Sequence, residues 1–290
     1  MQKYFSLVKF AHTIFALPFA LLGLFLGFWV LNAQGAEPDK PWWVSLILVV
    51  LCMVFARSAA MGFNRYIDRD IDAENDRTRM REIPAGAISP SRALTFVVVS
   101  SLLFVATTWF INLLCFFLSP VALLVILGYS LTKRFTALCH LVLGLGLSLA
   151  PVGAFIAVTG VFQWEPIILG IAVLTWVSGF DIIYALQDEE FDREHALNSI
   201  PAFLGKKKAL MVSTALHFLT ASMIVIFGVS IAGGWIFWLG SVIFLSLLVY
   251  QHFLVKPHDL SKVNLAFFTT NGIASVVFAC FAIGELLLRV

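Results

Sequence analysis

Nine long apolar segments constrain the fold of this chain more than any other feature. The hydrocarbon core of a bilayer is about 30 Å thick, and a helix needs about 20 apolar residues to cross it. Segments of that length cover residues 11–31, 42–62, 93–111, 113–131, 138–160, 166–186, 210–228, 235–254 and 265–287. Because each segment is continuously apolar and does not alternate like a barrel strand, the pattern predicts an all-α integral membrane protein with nine transmembrane helices.

The composition excludes a soluble globular protein. Only 12% of the 290 residues are charged and 60% are hydrophobic, whereas soluble domains are about one quarter charged. The net charge of +2 gives no basic field for nucleic acid, so the expected partners are the lipid bilayer and small molecules. No obligate protein partner is evident. The four cysteines fall in apolar segments without metal-ligand spacing, which favours packing roles.

The basic residues predict the orientation of the chain. With the N-terminus in the cytoplasm, alternating spans place all of the nineteen Lys and Arg residues except Lys40 and Arg289 on the cytoplasmic side. The first segment is longer than a signal-peptide core and follows Lys3 and Lys9, so we interpret it as a span. The expected location is the inner (cytoplasmic) membrane, with the active site opening to the cytoplasm.

Two long cytoplasmic loops, residues 65–92 and 187–208, each begin with acidic residues. Asp68 and Asp188 lie 120 positions apart, as do Asp72 and Asp192. This spacing predicts a single domain over 1–290 that consists of two related halves, about 1–130 and 131–290.

The acidic residues form two helix-spaced groups that suit Mg²⁺. Asn64, Asp68 and Asp72 recur at i, i+4 and i+8, which places three oxygen ligands on one face of a continuing helix. Asp188 and Asp192 repeat the i, i+4 spacing. Carboxylates on one face repel each other, and a hard divalent cation removes that cost. Two such groups predict two Mg²⁺ ions on one diphosphate.

Further polar residues accompany the two groups. Asp181 lies within an apolar segment, where an acid is a functional candidate because its insertion is costly. We expect Glu189, Glu190 and Glu194 to be solvated. Candidate anion ligands are Arg57, seven positions before Asn64, and the loop residues Arg77, Arg79, Arg81, Lys133 and Arg134. The alternative for these cations is a topological role, which we favour for Arg92 and Lys206 to Lys208.

The polar motifs resemble those of the UbiA superfamily of intramembrane prenyltransferases. The signature Asn-Asp-x-x-Asp-x-x-x-Asp is matched by Asn64, Asp68 and Asp72, with Arg65 where the family often has Asp. The second signature, a Tyr followed by Asp-x-x-x-Asp, is matched by Tyr184, Asp188 and Asp192. The stretches 78–86 and 129–136 resemble two further family elements, which contain Arg81, Lys133 and Arg134. The four matches occur in the family's order.

This resemblance implies a nine-helix bundle around a central cavity and an Mg²⁺-dependent transfer of a polyprenyl group from its diphosphate to an aromatic ring. The implied metal ligands are Asn64, Asp68, Asp72, Asp188 and Asp192, and the four aspartates are the implied catalytic residues. The implied substrate-binding residues are Arg57, Asn64, Arg81, Lys133, Arg134, Asp181 and Tyr184.

The strings around His12, Arg81 and Phe180 are similar to the 4-hydroxybenzoate polyprenyltransferase-like branch, which implies ubiquinone biosynthesis. A dihydroxynaphthoate acceptor, and hence menaquinone biosynthesis, is the alternative. Both acceptors are aromatic carboxylates that Arg57 suits. A lipid-phosphate transferase of the same fold would differ only in its acceptor. A secondary transporter is the remote alternative, and its site is expected near the bilayer midplane.

Overall fold

The computed structural model describes Leu7 and residues 15–289. Lys3, Lys9 and His12 lie outside the described residues. The helices are α1 (Leu17–Ala33), α2 (Trp42–Ile67), α3 (Arg69–Glu74), α4 (Pro90–Ile111), α5 (Leu113–Thr132), α6 (Cys139–Thr159), α7 (Trp164–Ala185), α8 (Glu189–Glu194), α9 (Ile200–Leu204), α10 (Lys206–Ser230), α11 (Trp235–Leu254) and α12 (Asn271–Leu287). A 3₁₀ turn, Leu186–Asp188, joins α7 to α8, and a π-helix, Leu265–Thr270, leads into α12.

The described residues confirm an all-helical integral membrane protein. Eight helices are long and apolar enough to cross a bilayer, with α12 counted together with its π-helix. The remaining long apolar helix, α1, has 17 residues. The spans α2, α4 and α10 begin or end beyond the predicted apolar segments, because their charged terminal turns continue the helix outside the hydrocarbon core.

The tight break between the third and fourth predicted segments is confirmed at Asn112. Its side-chain Oδ1 accepts a hydrogen bond from the backbone N–H of Cys115 at 2.8 Å and so caps the N-terminus of α5. Its Nδ2 donates to the carbonyl oxygen of Ile156 on α6 at 2.9 Å. One residue therefore ends α4, begins α5 and fixes both to α6.

Helix α7 lies at the centre of the bundle. It packs against α6 on one side and α10 on the other, while α1 packs against α6 and α12. Its Trp176 is fully buried, with its ring centroid 5.2 Å from that of Phe19 on α1. Helices α2, α4 and α5 pack together on the far side of α6. This arrangement leaves a cavity between α2, α4, α5 and α6.

Both acidic motifs lie where a spanning helix is interrupted. Helix α2 ends at Ile67 and α3 begins at Arg69, so Asp68 occupies the break; Asp188 occupies the corresponding place before α8. Both residues have ψ of 3°. The backbone N–H of Asp72 still donates to the carbonyl oxygen of Asp68, which keeps the motif compact. The two related halves stay a prediction.

Candidate active site

Two adjoining cavities define the site. A polar cavity of about 290 Å³ lies at the end of α2, α5 and α7 that carries the long loops, and an apolar cavity of about 350 Å³ extends from it between α2, α4, α5 and α6. Met61, Tyr129 and Leu143 line both. The lining residues of α2 in the apolar cavity run from Val49 to Met61, which is about 18 Å along the helix axis.

The first motif is held by cations from α5 and the loop that follows it. Asp68 is 2% exposed, and its two carboxylate oxygens lie 2.9 Å from Lys133 Nζ and 2.9 Å from an Arg134 guanidinium nitrogen. Asn64 Nδ2 also donates to Asp68 at 3.1 Å. Asp72 is 4% exposed, and one nitrogen of Arg81 contacts both of its oxygens at 2.7 and 2.8 Å. These buried carboxylates are therefore fully paired with cations.

The second motif is paired with the loop of the first half. Arg77 Nε donates to Asp188 Oδ1 at 3.0 Å, and a second guanidinium nitrogen donates to Oδ2. The same guanidinium donates to the Tyr184 hydroxyl at 3.0 Å and lies over the Tyr184 ring. Burial by itself lowers the pKa of Arg77, but the charge and hydrogen bonds of Asp188 outweigh it and raise that pKa. Arg77 therefore stays charged in the cavity.

Asp192 and Asp181 have hydrogen-bond partners other than lysine and arginine. Asp192 lines the polar cavity and receives a side-chain hydrogen bond from Ser199. Asp181 lines it too, and Asp181 Oδ2 lies 2.7 Å from His140 Nδ1.

The expectation of solvated glutamates is wrong for Glu189, which is 7% exposed and lies within ion-pair distance of Arg193 and Lys206.

The structure brings most of the predicted site residues to the polar cavity. Its lining includes Asn64, Asp68, Asp72, Arg81, Lys133, Asp181, Tyr184, Asp188 and Asp192. Arg134 lies beside this lining and acts on it through Asp68. Arg57 lies deeper and lines the apolar cavity, two helical turns from Asn64.

Sequence reasoning did not single out Arg65, Asn75 or His140 as site residues, although all three line the polar cavity, and it did not predict the partner of Arg77. Arg65 is 3% exposed, and its Nε has no hydrogen-bond partner among the described residues. Asn75 and Arg77 contact Asp188 across more than 100 positions of sequence, which no local pattern predicts. His140 carried one usable signal, since it is a polar residue at the start of an apolar segment.

The carboxylates suit a magnesium ion in chemistry but do not form a ready-made cluster. Within the described ranges, no group of three His, Cys, Asp or Glu side chains is close enough to hold a metal ion. Hard oxygen donors that face one cavity nevertheless match the ligands Mg²⁺ prefers, and this ion usually takes few protein ligands. The donor set therefore fits Mg²⁺, with lysine and arginine as the present partners of three aspartates.

A spanning helical bundle with buried carboxylates and cations beside a long apolar cavity has the features of a functional site inside a membrane protein. The model of the UbiA prenyltransferase family matches residues 16–273, and the chain belongs to that family. The resemblance drawn from the motifs is confirmed, and the protein is a prenyltransferase.

Relatives of known name agree with this assignment. The chain is 30% identical over 263 residues to the 4-hydroxybenzoate octaprenyltransferase of Aliivibrio fischeri strain MJ11, covering 89% of each chain. It is also 30% identical over 253 residues to the enzyme of that name from Nitrosomonas europaea, covering 87% of this chain and 85% of the relative.

Solved structures share the fold. An apo UbiA homologue from Aeropyrum pernix K1 superposes with a TM-score of 0.79 at 29% identity, covering 96% of this chain and 97% of the homologue. A UbiA homologue from Archaeoglobus fulgidus bound to GPP and Mg²⁺ has a TM-score of 0.74 at 21% identity, covering 98% and 99%. The second likeness supports the fold alone.

Proposed function

We propose that the protein transfers a polyprenyl group from a polyprenyl diphosphate to 4-hydroxybenzoate, with Mg²⁺, in ubiquinone biosynthesis. The observation that carries the proposal is the pairing of two buried aspartates, Asp68 and Asp72, and the half-buried Asp188 with cations in a cavity that opens into an apolar one. The name and coverage of the curated relatives support the choice of acceptor.

The paired charges suit a metal-bound diphosphate. Each pair joins a carboxylate, which is a metal ligand, to a lysine or arginine, which is a phosphate ligand. A diphosphate with Mg²⁺ provides a partner for the carboxylate and for the lysine or arginine. Its binding therefore replaces one set of ionic contacts with another and leaves no charge unpaired. Arg65 adds a buried guanidinium whose Nε lacks a partner among the described residues.

Asn64, Asp68, Asp72, Asp188 and Asp192 are the proposed Mg²⁺ ligands. When bound, Mg²⁺ supplies positive charge that stabilises the departing diphosphate. Arg77, Arg81 and Lys133 hold the diphosphate oxygens, and Arg134 keeps Asp68 in place. These preorganised cations stabilise the negative charge that develops as the allylic C–O bond breaks.

The apolar cavity is the proposed site of the first isoprene units. Its walls shield the allylic cation from water, and a longer tail continues between helices towards lipid. Arg57, inside this cavity, is the proposed partner of the acceptor carboxylate. The acceptor ring then lies where the two cavities meet, near Tyr129, which places it next to the reacting carbon.

The proposed topology has nine spans, with the N-terminus and the polar cavity on the cytoplasmic side of the inner membrane. The loops that cover this cavity carry Arg77, Arg79 and Arg81 after α3 and Arg193 after α7, which follows the positive-inside rule. Helix α1 is the proposed first span.

The acceptor is tested with purified protein in detergent, Mg²⁺ and a radiolabelled polyprenyl diphosphate. 4-Hydroxybenzoate and a dihydroxynaphthoate are offered in parallel, and products are identified by mass spectrometry. We expect prenylated 4-hydroxybenzoate. Product from the naphthoate alone would assign the enzyme to menaquinone biosynthesis. Recovery of the labelled diphosphate unreacted with both acceptors would contradict the proposal.

A further inference from the structure

The polar cavity contains a histidine–aspartate pair that the binding of a diphosphate does not require. His140, at the start of α6, is 3% exposed, and its Nδ1 lies 2.7 Å from Oδ2 of Asp181 on α7. Both side chains line the cavity. The Asp181 side chain is 22% exposed, so part of this carboxylate faces the cavity.

Both ring nitrogens of His140 have neighbours that hold the ring in place. The backbone N–H of Ile200 lies 3.4 Å from His140 Nε2. In the charged ring, and in the neutral ring with its proton on Nδ1, the Nδ1–H donates to Asp181. The hydroxyl of Ser178 also donates to the carbonyl oxygen of His140 at 3.1 Å, which holds the start of α6 against α7. His140 is thus an oriented hydrogen-bond donor.

Asp181 differs in charge environment from the aspartates of the two motifs. Asp68, Asp72 and Asp188 each form an ion pair with lysine or arginine. Within the part of the chain that the structure describes, no lysine or arginine pairs with Asp181. A carboxylate that is held by one histidine and by no lysine or arginine keeps its capacity to accept a further hydrogen bond and a proton.

Aromatic side chains flank this carboxylate. Tyr184 lies one turn along α7 from Asp181, and the ring of Phe267, from the π-helix, stacks on Tyr184 with centroids 4.1 Å apart. Phe267 and Phe268 line the same cavity. An aromatic acceptor has rings to pack against beside Asp181.

We propose that Asp181 binds the ring hydroxyl of the aromatic acceptor and accepts its proton, and that His140 is the positioning residue that holds Asp181 for this role. The inference rests on the proposed function. It assigns the hydroxyl end of the acceptor to Asp181, whereas the carboxylate end is assigned to Arg57. A ring attacks a carbocation more readily as its hydroxyl proton is withdrawn.

The step balances without any further reactant. The C–O bond of the prenyl diphosphate breaks with its electron pair on the diphosphate, and a ring carbon bonds to the allylic carbon while the hydroxyl proton moves to Asp181. The product of this step is a dienone whose ring carries no charge. Transfer of the proton from the substituted carbon to the departed diphosphate, with return of the proton from Asp181 to oxygen, restores the aromatic ring, so one proton in total leaves with the diphosphate.

The first test separates the two substrates kinetically. For Asp181→Asn we expect kcat/KM for 4-hydroxybenzoate to fall about 10- to 100-fold, the range of one hydrogen bond to a charged group. KM for the prenyl diphosphate should stay within about threefold, since no cation of the diphosphate site contacts Asp181. Equal losses for both substrates would overturn the proposal.

The second test uses benzoate, which lacks the hydroxyl, as a competitive inhibitor against 4-hydroxybenzoate. Its inhibition constant should be the same in the native enzyme and in Asp181→Asn, because benzoate has no group for Asp181 to bind. An inhibition constant that rises in step with the acceptor KM would assign Asp181 a merely structural role and refute the proposal.

The role of His140 is tested independently of Asp181. His140→Gln keeps an N–H donor and should retain acceptor kcat/KM within about threefold, whereas His140→Leu should lose about tenfold with unchanged KM for the diphosphate. His258→Ala, in an exposed loop, is the matched control and should leave both parameters unchanged. Equal activity of the Gln and Leu variants would overturn the positioning role. A native enzyme that prenylates no aromatic acceptor would instead refute the proposed function.

Discussion

The substitution Asp68→Asn probes the charge pairing of the site most sharply. Asp68 is 2% exposed and holds Lys133, Arg134 and Asn64. The amide keeps the size of the side chain but removes the negative charge that binds a metal ion. Loss of one preorganised electrostatic contact typically costs about 10²- to 10³-fold in kcat, or about 3–4 kcal/mol, so we expect kcat to fall at least about 100-fold.

The same substitution should destabilise the fold only modestly. Breaking a fully buried ion pair costs about 3–5 kcal/mol. Here, however, the side chains of Lys133 and Arg134 are 29% and 32% exposed, so water screens the charges that remain. We therefore expect a loss of about 1–2 kcal/mol. The bundle should remain folded.

The assay measures Mg²⁺-dependent prenyl transfer and thermal unfolding in detergent on the same preparation. Asp70→Asn is the matched control, because Asp70 belongs to the same short helix but its side chain is 81% exposed. The control should keep native activity. Near-native turnover of Asp68→Asn, or equal losses in both variants, would refute the reasoning.

Three further substitutions test separate parts of the account. Arg65→Gln should weaken inhibition by inorganic diphosphate about tenfold, because it removes a buried guanidinium, and an unchanged inhibition constant would exclude Arg65 from the diphosphate site. Arg57→Ala should raise the acceptor KM at least about tenfold. Lost diphosphate affinity with an unchanged acceptor KM would instead place Arg57 in the diphosphate site. Gly23→Ala should destabilise the bundle by about 1–3 kcal/mol in detergent unfolding, because its Cβ would clash with the carbonyl oxygen of Pro151 on α6; native stability would contradict that close packing.

The sequence predicts the features that depend on local periodicity. Apolar length identifies the spans, and the break at Asn112 follows from one polar residue between two apolar segments. The helical spacing of Asn64, Asp68 and Asp72 predicts that these residues share a surface, and all three line the polar cavity. Helix-end acidic motifs are thus recognisable before any tertiary contact is known.

The features that depend on tertiary contacts could not be predicted. The pairing of Arg77 with Asp188 joins positions 111 residues apart and depends on how the loop after α3 folds. Glu189 is buried and lies within ion-pair distance of Lys206 and Arg193, contacts that the tertiary fold brings together. The π-helix before α12 leaves no signature in an apolar segment, although Asn271 Nδ2 donates to the carbonyl oxygens of Ala266 and Phe267 there.

The central claim is metal-dependent transfer of a prenyl group to an aromatic carboxylate. Its most direct test is a transfer assay with the purified native protein, a labelled polyprenyl diphosphate and 4-hydroxybenzoate, before and after chelation and after return of Mg²⁺. The account predicts prenylated product with Mg²⁺, loss of product on chelation and recovery when Mg²⁺ is restored. Absence of product at every Mg²⁺ concentration, or equal product in chelator, would contradict it.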